Sequence, residues 1–531
     1  MLLTIPSPND TLVLLFQPHC FVIFGVTAVF CIVVYTKYRA SPWRKLPPGP
    51  RGLPLIGNVF DVSNDAPWLT FTQWKAMYGE VTHFSVLGQS VVVLNTQKAA
   101  TELLGRRAAR YSDRVRNIVG AETMCGGLVM IFQNYSTFWR RLRRAAHEGL
   151  TNSGVKDQLR LTQHRHALTL ALGFLDSDCN KWQDQIRQAM ASVILSTLYG
   201  HSRGADPRVK SIEELLGRLG HATLPKNHLV EIFPWMRYIP ARLAPWKRQS
   251  EAWFEKDSDT FENLFNTSIA CGTESPTMSS VLHDNSARFG LSVRESAWLN
   301  VTMYAAGVDT TTCAFSWGIL GILAYPETQK RAQAELDVVV GRSRVPTFAD
   351  LPHLPYVSAM VRETLRWGPV TPVALPHLST QDDWYEGMFI PAGTVCVPNV
   401  WAMHRDTNVF GLDAAQFNPS RHLDARGKLA SQSNEAKDDG IHAFGFGRRV
   451  CPGKQLATDS IAIMLAVALW ACSFERKKDA YGEDVPLDLD GYDASSGVAI
   501  GPAAFQCRIT PRFPSAAVLL EQEQESHVSE S

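Results

Sequence analysis

The sequence predicts a mainly helical fold with small β-sheets, an α+β architecture, preceded by one N-terminal transmembrane helix. Three observations carry this reading. Helix-length stretches dominate after residue 100, β-rich runs are short and few, and residues 12–35 are largely apolar with no charge in their second part, "CFVIFGVTAVFCIVVY".

The apolar stretch comes first. Counted from Leu12 it has about the 20 residues a helix needs to cross the hydrocarbon layer, with Gln17, Pro18 and His19 as an interruption. A cleaved signal peptide or a buried core helix has a similar composition. No Lys or Arg precedes Lys37, whereas Lys37, Arg39, Arg44 and Lys45 follow at once, so the positive-inside rule predicts an uncleaved single-pass anchor. Its N-terminus is then lumenal, with Asn9 heading a glycosylation sequon, and everything after it is cytosolic. Pro47, Pro48 and Pro50 cannot continue the helix and predict a stiff basic and proline-rich hinge.

Residues 82–96, "THFSVLGQSVVVLNT", hold two β-rich runs about Gly88 and Gln89 and predict a hairpin. Helices are expected over residues 139–148, 292–324, "PETQKRAQAELDVVVG" with Pro326 in its first turn, and 356–367. Strands return near 390–398 and 498–511, and no internal repeat is visible. The expected division is therefore a membrane anchor over 1–36, a hinge over 37–50, a folded body over 51–515 and an acidic, disordered tail over 516–531.

Composition narrows the function. With 52 basic against 51 acidic residues there is no global field to attract a polyanion, which argues against nucleic acid as a partner. The ten cysteines are scattered, with no Cys-x-x-Cys pair and no companion at zinc spacing, so a reducing compartment is expected and any special cysteine must act alone. Cys451 differs in its company, "FGFGRRVCPG" over residues 444–453. Gly445, Gly447 and Gly453 let the backbone approach a large flat partner, and Arg448 and Arg449 favour thiolate over thiol. A solitary thiolate in a glycine loop suits the axial position of a haem iron, whose macrocycle supplies four donors of its own.

The segment resembles the haem-binding signature Phe-x-x-Gly-x-Arg-x-Cys-x-Gly of the cytochrome P-450 family through Phe444, Gly447, Arg449, Cys451 and Gly453. A chance match in a chain of this length is on the order of one in ten thousand. Four more segments follow the family's order: "WRRLR" at 139–143, "AGVDTT" at 306–311, "ETLR" at 363–366 and "FNPSR" at 417–421. The resemblance covers nearly the whole chain after residue 46. It implies the cytochrome P-450 fold over residues 51–515 and haem b (iron protoporphyrin IX) with Cys451 as its axial iron ligand.

The resemblance also assigns roles. Trp139 and Arg143, four apart on one helix face, would donate to a haem propionate, and Arg449 and His377 are implied as further propionate partners. Ala306 and Gly307 would leave room for oxygen above the iron, while Asp309 and Thr310 would deliver its protons. Glu363, Arg366 and Arg421 would form a buried structural triad. Ser420 and His422 depart from the Arg and Phe often found beside that arginine, a variation read as tolerated.

The leading functional reading is a membrane-anchored haem-thiolate monooxygenase of the endoplasmic reticulum, oxidising a lipophilic small molecule with O₂ and electrons from NADPH. No phosphate-cradling loop or flavin-sized domain is present, so NADPH acts through NADPH-cytochrome P-450 reductase, with cytochrome b5 as a second implied donor. The exposed face of the "WRRLR" helix, with Arg448 and Lys454, is the expected docking patch. Two other classes stay open: an isomerase or dehydratase of the same fold that needs no O₂, and a non-enzymatic haem sensor. Asp309, Thr310 and the basic helix favour the monooxygenase over the isomerase. Pocket residues are expected around Met124, Met130, Phe132, Phe233 and Trp235, which suit a bulky apolar substrate. "IPAGTVCVPNVWAMHRD" and "FQCRITPR" resemble fungal microsomal members, many of which oxidise terpenoids or polyketides of secondary metabolism.

Overall fold

The computed structural model describes residues 18–63, 65–176, 181–200, 207–223, 227–272, 275–430, 440–494 and 499–529. Numbered in chain order, its long helices are α1 (Pro18–Ala40), α2 (Pro67–Tyr78), α3 (Thr137–Thr151), α4 (Ser153–Leu175), α5 (Trp182–Tyr199), α6 (Pro207–Ala222), α7 (Pro245–Ala270), α8 (Val293–Ala324), α9 (Pro326–Val339), α10 (Pro355–Trp367), α11 (Lys454–Ala471) and α12 (Ala516–Ser529). Local chemistry explains their starts. α8 opens on a capping box: the Ser292 hydroxyl accepts from the Glu295 N–H at 3.2 Å, and the Glu295 carboxylate accepts from the Ser292 N–H at 2.7 Å. α2, α7, α9 and α10 each begin with a proline, whose missing N–H is no loss in a first turn.

α8 positions the site. Its 32 residues span about 48 Å between two helical cores. Through Trp298, Tyr304 and Val308 it packs with α3, α5 and α7, and from Ala314 to Leu323 it packs with α4, α9, α10 and α11. The seam between the cores, residues 305–313, is mostly half-buried, and Ala306 is exposed. There neither core covers the helix fully.

Among the described residues the β structure falls into one five-stranded sheet and three two-stranded sheets. β1 (Val81–Val86) and β2 (Gln89–Leu94) form the expected hairpin, turning through Leu87 and Gly88 at φ 49° and 83°, the left-handed pair that a two-residue hairpin turn requires. They are followed by β3 (Asp113–Arg114), β4 (His377–Leu378), β5 (Asp383–Tyr385), β6 (Met388–Ile390) and β7 (Val395–Pro398). The main sheet runs β1-β2-β7-β4-β3, with β2 and β7 parallel and the other neighbours antiparallel. Its far edge places Arg114 opposite His377. Near the C-terminus, Cys472–Arg476 pairs antiparallel with Cys507–Pro511.

Two expectations are corrected. The C-terminal residues are not a disordered tail: they form α12, whose Ala516 and Leu520 are fully buried against the core while α12 packs on α4. The "AAVLL" start gives the acidic segment an apolar stripe that its average composition hides. The boundary between hinge and body, expected at residue 50, also moves earlier. Pro47 is buried, and the Pro48 carbonyl accepts from the His83 N–H of β1 at 2.9 Å, so the proline run ends docked on the sheet.

α1 continues the apolar segment to Ala40 and exposes Val26, Val29, Phe30 and Ile32. Residues 12–17 of the expected anchor, and Asn9, lie outside the described residues. Among the described residues the helix long and apolar enough to cross a membrane is α11, most of which is buried in the core.

Candidate active site

The cysteine loop precedes α11. Gly445 and Gly447 take φ of 78° and 53°, and a Cβ on Gly447 would lie 2.1 Å from the Leu104 carbonyl oxygen. Glycine is required at that contact. The turn closes with the Cys451 N–H donating to the Phe444 carbonyl at 2.8 Å, and Lys454 covers the Phe444 ring at 5.7 Å. Burial pushes the Cys451 thiol up, while the Gly453 N–H and the Arg143 guanidinium pull it down. The cation facing the thiol is thus Arg143 of α3 rather than its chain neighbours. Arg448 is exposed over the Tyr135 ring at 4.8 Å, and Arg449 lies over the Trp139 ring at 4.4 Å.

Arg449 belongs to a cluster of buried cations. Its Nε donates to the Ser112 carbonyl at 2.7 Å and its Nη2 to the Gln133 carbonyl. Arg114 donates to the Leu375 and Pro376 carbonyls at 2.7 and 2.8 Å. Burial and then Arg449 lower Arg114 to about 9, and burial also lowers Arg449 to about 10, with Asp113 attracting and Arg143 repelling its charge. His377 donates from Nδ1 to the Tyr111 carbonyl at 2.6 Å, and burial followed by Arg114 drives it down to about 3. Among the described residues none of these three arginines has a carboxylate within ion-pair distance. Arg114 went unnoticed in the sequence because nothing local separates it from Arg116, which pairs with Glu122 at the surface.

On the α8 seam, the Thr310 hydroxyl donates back to the Ala306 carbonyl at 2.6 Å. Asp309 is held by Arg187 of α5 at 3.2 Å, and Arg187 also reaches Glu213 at 3.1 Å. No sequence signal joins Arg187 to Asp309 across that separation. Gly307 is corrected: a Cβ there would lie 2.5 Å from Ile194 Cδ1, so its missing side chain lets α5 approach α8 instead of making room for oxygen. Met124 and Met130 are buried among apolar neighbours, whereas Phe233 and Trp235, expected in the pocket, are 48% and 65% exposed.

A protein-family model for cytochrome P-450 matches residues 47–486. A cytochrome P-450 monooxygenase of Armillaria gallica is 49% identical over 510 residues, covering 95% of this chain and 97% of that protein. The chain belongs to the cytochrome P-450 family. A second monooxygenase from Armillaria gallica is 44% identical across 94% of the chain and 98% of its own length. A zebra fish cytochrome P-450 structure with abiraterone superposes with a TM-score of 0.65 at 25% identity, covering 84% of this chain and 100% of that one. The chain is accordingly an oxidoreductase of the monooxygenase class, and its cofactor is haem. The site fits that group. A thiol in a glycine loop and buried arginines lacking acidic partners suit an iron porphyrin that brings two carboxylates of its own.

Behind the cysteine loop, Glu363 and Arg366 of this P-450 are both fully buried, with contacts of 2.6 and 2.7 Å. Arg421 reaches Glu363 at 3.1 Å and Asp413 at 3.0 Å, and the Asn418 N–H donates to Glu363 at 2.8 Å. His422, read in the sequence as neutral variation, also contacts Glu363, at 2.9 Å. Burial pushes the Glu363 carboxyl up, but Arg366 and His422 outweigh it and hold it at about 2. The three expected residues meet, and His422 makes a fourth.

Proposed function

We propose that Cys451 is the axial ligand of the haem iron and that this P-450 inserts an oxygen atom from O₂ into a lipophilic small molecule. Its setting is a step of fungal secondary metabolism at the endoplasmic reticulum membrane, and the terpenoid and polyketide classes are the leading substrates. The observation that carries the reading is the Cys451 thiol facing Gly453 N–H and Arg143, beside buried Arg114 and Arg449, which have no carboxylate in ion-pair contact. The fungal sources of the similar monooxygenases support the setting.

Bound haem supplies oxygen activation and electron storage. The chain's own residues do the rest. Cys451 would hold the iron as a thiolate; burial opposes that charge, and Gly453 N–H and Arg143 offset part of the cost. Arg143, Arg449, Trp139 and His377 would hold the propionates, joined by Arg114. Phe444, Gly447 and Gly453 shape the loop, and Ala306 leaves the cavity open. Asp309 collects protons from solvent once it parts from Arg187, and Thr310 passes them into the cavity after its hydroxyl leaves the Ala306 carbonyl.

Residues 1–36 anchor the chain with residues 37–50 as its hinge, and exposed Phe233, Trp235, Tyr238 and Leu243 suit contact with the membrane surface. Arg140, Arg144, Arg448 and Lys454 are exposed and suit an acidic flavin domain of NADPH-cytochrome P-450 reductase, or cytochrome b5. Arg141 and Arg144 also donate to the Gly290 and Arg288 carbonyls.

The test is co-expression with the reductase and metabolite profiling against a Cys451→Ala control. A new oxidised product that depends on Cys451, with a thiolate-type reduced carbon-monoxide spectrum, is expected. A spectrum of the histidine-ligated type overturns the ligand assignment, and a product indifferent to O₂ and reductase overturns the monooxygenase reading in favour of an isomerase.

A further inference from the structure

A second cluster of ligating side chains lies where α12 docks on α4, away from the cysteine loop. His164 of α4 is 5% exposed. Its Nε2 meets the Pro346 carbonyl at 3.0 Å, and because a carbonyl only accepts, Nε2 carries the ring proton and Nδ1 presents a lone pair. That lone pair points at Nε2 of His527, 3.0 Å away. Glu523, one turn earlier on α12, brings Oε1 to 3.7 Å from the same nitrogen. The three ligand atoms all lie within 4.8 Å of one another.

We propose that His164, Glu523 and His527 bind a zinc ion that fastens the C-terminal helix to the body of the protein. Two imidazoles and one carboxylate are a donor set for a borderline late transition metal, unlike the all-oxygen cages of calcium or magnesium. Tetrahedral zinc at about 2.0 to 2.1 Å from each nitrogen separates them by roughly 3.3 Å, close to the spacing found. The i,i+4 placement of Glu523 and His527 puts both on one helix face. A backbone carbonyl that fixes a ligand's tautomer is the usual outer-shell support of a metal-bound histidine. Arg344, which attracts Glu523, is already held by both oxygens of Asp350 at 2.6 and 2.8 Å.

The helix needs such a fastening. After Leu520 its turns are polar, and they contact α4 through Gln524 to Thr169 at 3.0 Å, Arg165 to the His527 carbonyl at 3.4 Å and the histidine pair. Apolar burial ends one turn before the cluster.

The experiment uses the untagged, haem-loaded full chain, with zinc measured by elemental analysis after equilibrium dialysis and with amide exchange read over residues 516–527. Wild type should hold one zinc beside its haem iron and lose exchange protection over that segment on chelation. Glu523→Gln and His527→Ala, both at half-exposed positions, should weaken zinc at least roughly 100-fold, since losing only an outer-shell partner already costs about 10- to 100-fold. Zinc held equally by wild type and both variants overturns the site. Wild type that takes up no zinc, or whose helix exchanges identically with and without it, shows a hydrogen-bonded histidine pair and also overturns it.

Discussion

Around Glu363, two arginines and a histidine converge on one carboxylate; around Arg449, arginines 114 and 143 and His377 converge with no carboxylate in ion-pair contact, Asp113 acting on Arg449 from farther off. The first cluster balances itself, Arg366 and Arg421 against Glu363 and Asp413, and is complete within the chain. The second keeps cations buried at an effective penalty of several kcal/mol per unpaired ion. Buried charge of the first kind belongs to the fold. Buried charge of the second kind is a request for an anionic partner, and two propionates answer it.

The comparison breaks most sharply at Glu363. Glu363→Gln should cost about 3 to 5 kcal/mol, by leaving Arg366 buried without its counter-ion, and should abolish haem incorporation; denaturant unfolding and haem content measure both. Full haem content at an unchanged midpoint would show that the network is dispensable. His422→Phe, which removes one hydrogen bond to that carboxylate, should cost about 1.5 to 3 kcal/mol and leave the haem spectrum unaltered.

Arg143→Met sharpens the contrast through opposite signs. Haem should dissociate about tenfold faster, equivalent to about 1.4 kcal/mol, while the haem-free protein stays as stable or gains, because a half-buried cation without an ion-pair partner is removed. Loss of stability in the haem-free protein would mean that Arg143 is already satisfied without propionates. Near neutral pH the smallest effect is in the pH profile. The folded His377 pKa lies at about 3 against 6.5 unfolded, so the unfolded chain binds the extra proton between those values. Stability of the haem-free protein is therefore full above pH 6.5 and falls toward pH 3, by at most about 1.4 kcal/mol per pH unit from this group. His377→Asn should flatten that component in urea titrations at stepped pH.

Local features were legible in advance. The hairpin about Gly88, the long helix over 292–324 and Pro326 in the first turn of α9 are each decided within a few residues. Averages misled where a short pattern mattered, as in α12, whose apolar start is outvoted by the acids that follow. Arg114, Arg187 and His422 were missed because each acts on a partner dozens to hundreds of residues away. Gly307 was misjudged because a small residue on a helix is equally suited to a cavity and to a close helix crossing, and only the position of Ile194 separates the two.

By itself the sequence determined the solitary thiol, its glycine loop, the long helix with Asp309 and Thr310, and the helical class of the fold. These rest on backbone dihedrals and on hydrogen bonds between near neighbours, which residue order alone dictates. The tertiary structure decided which cation faces the thiol, that Arg187 restrains Asp309, that His422 completes the Glu363 network and that the C-terminal helix meets His164. Each of those is a choice of partner, made only when packing brings distant side chains into a medium where an unpaired charge is too costly to keep.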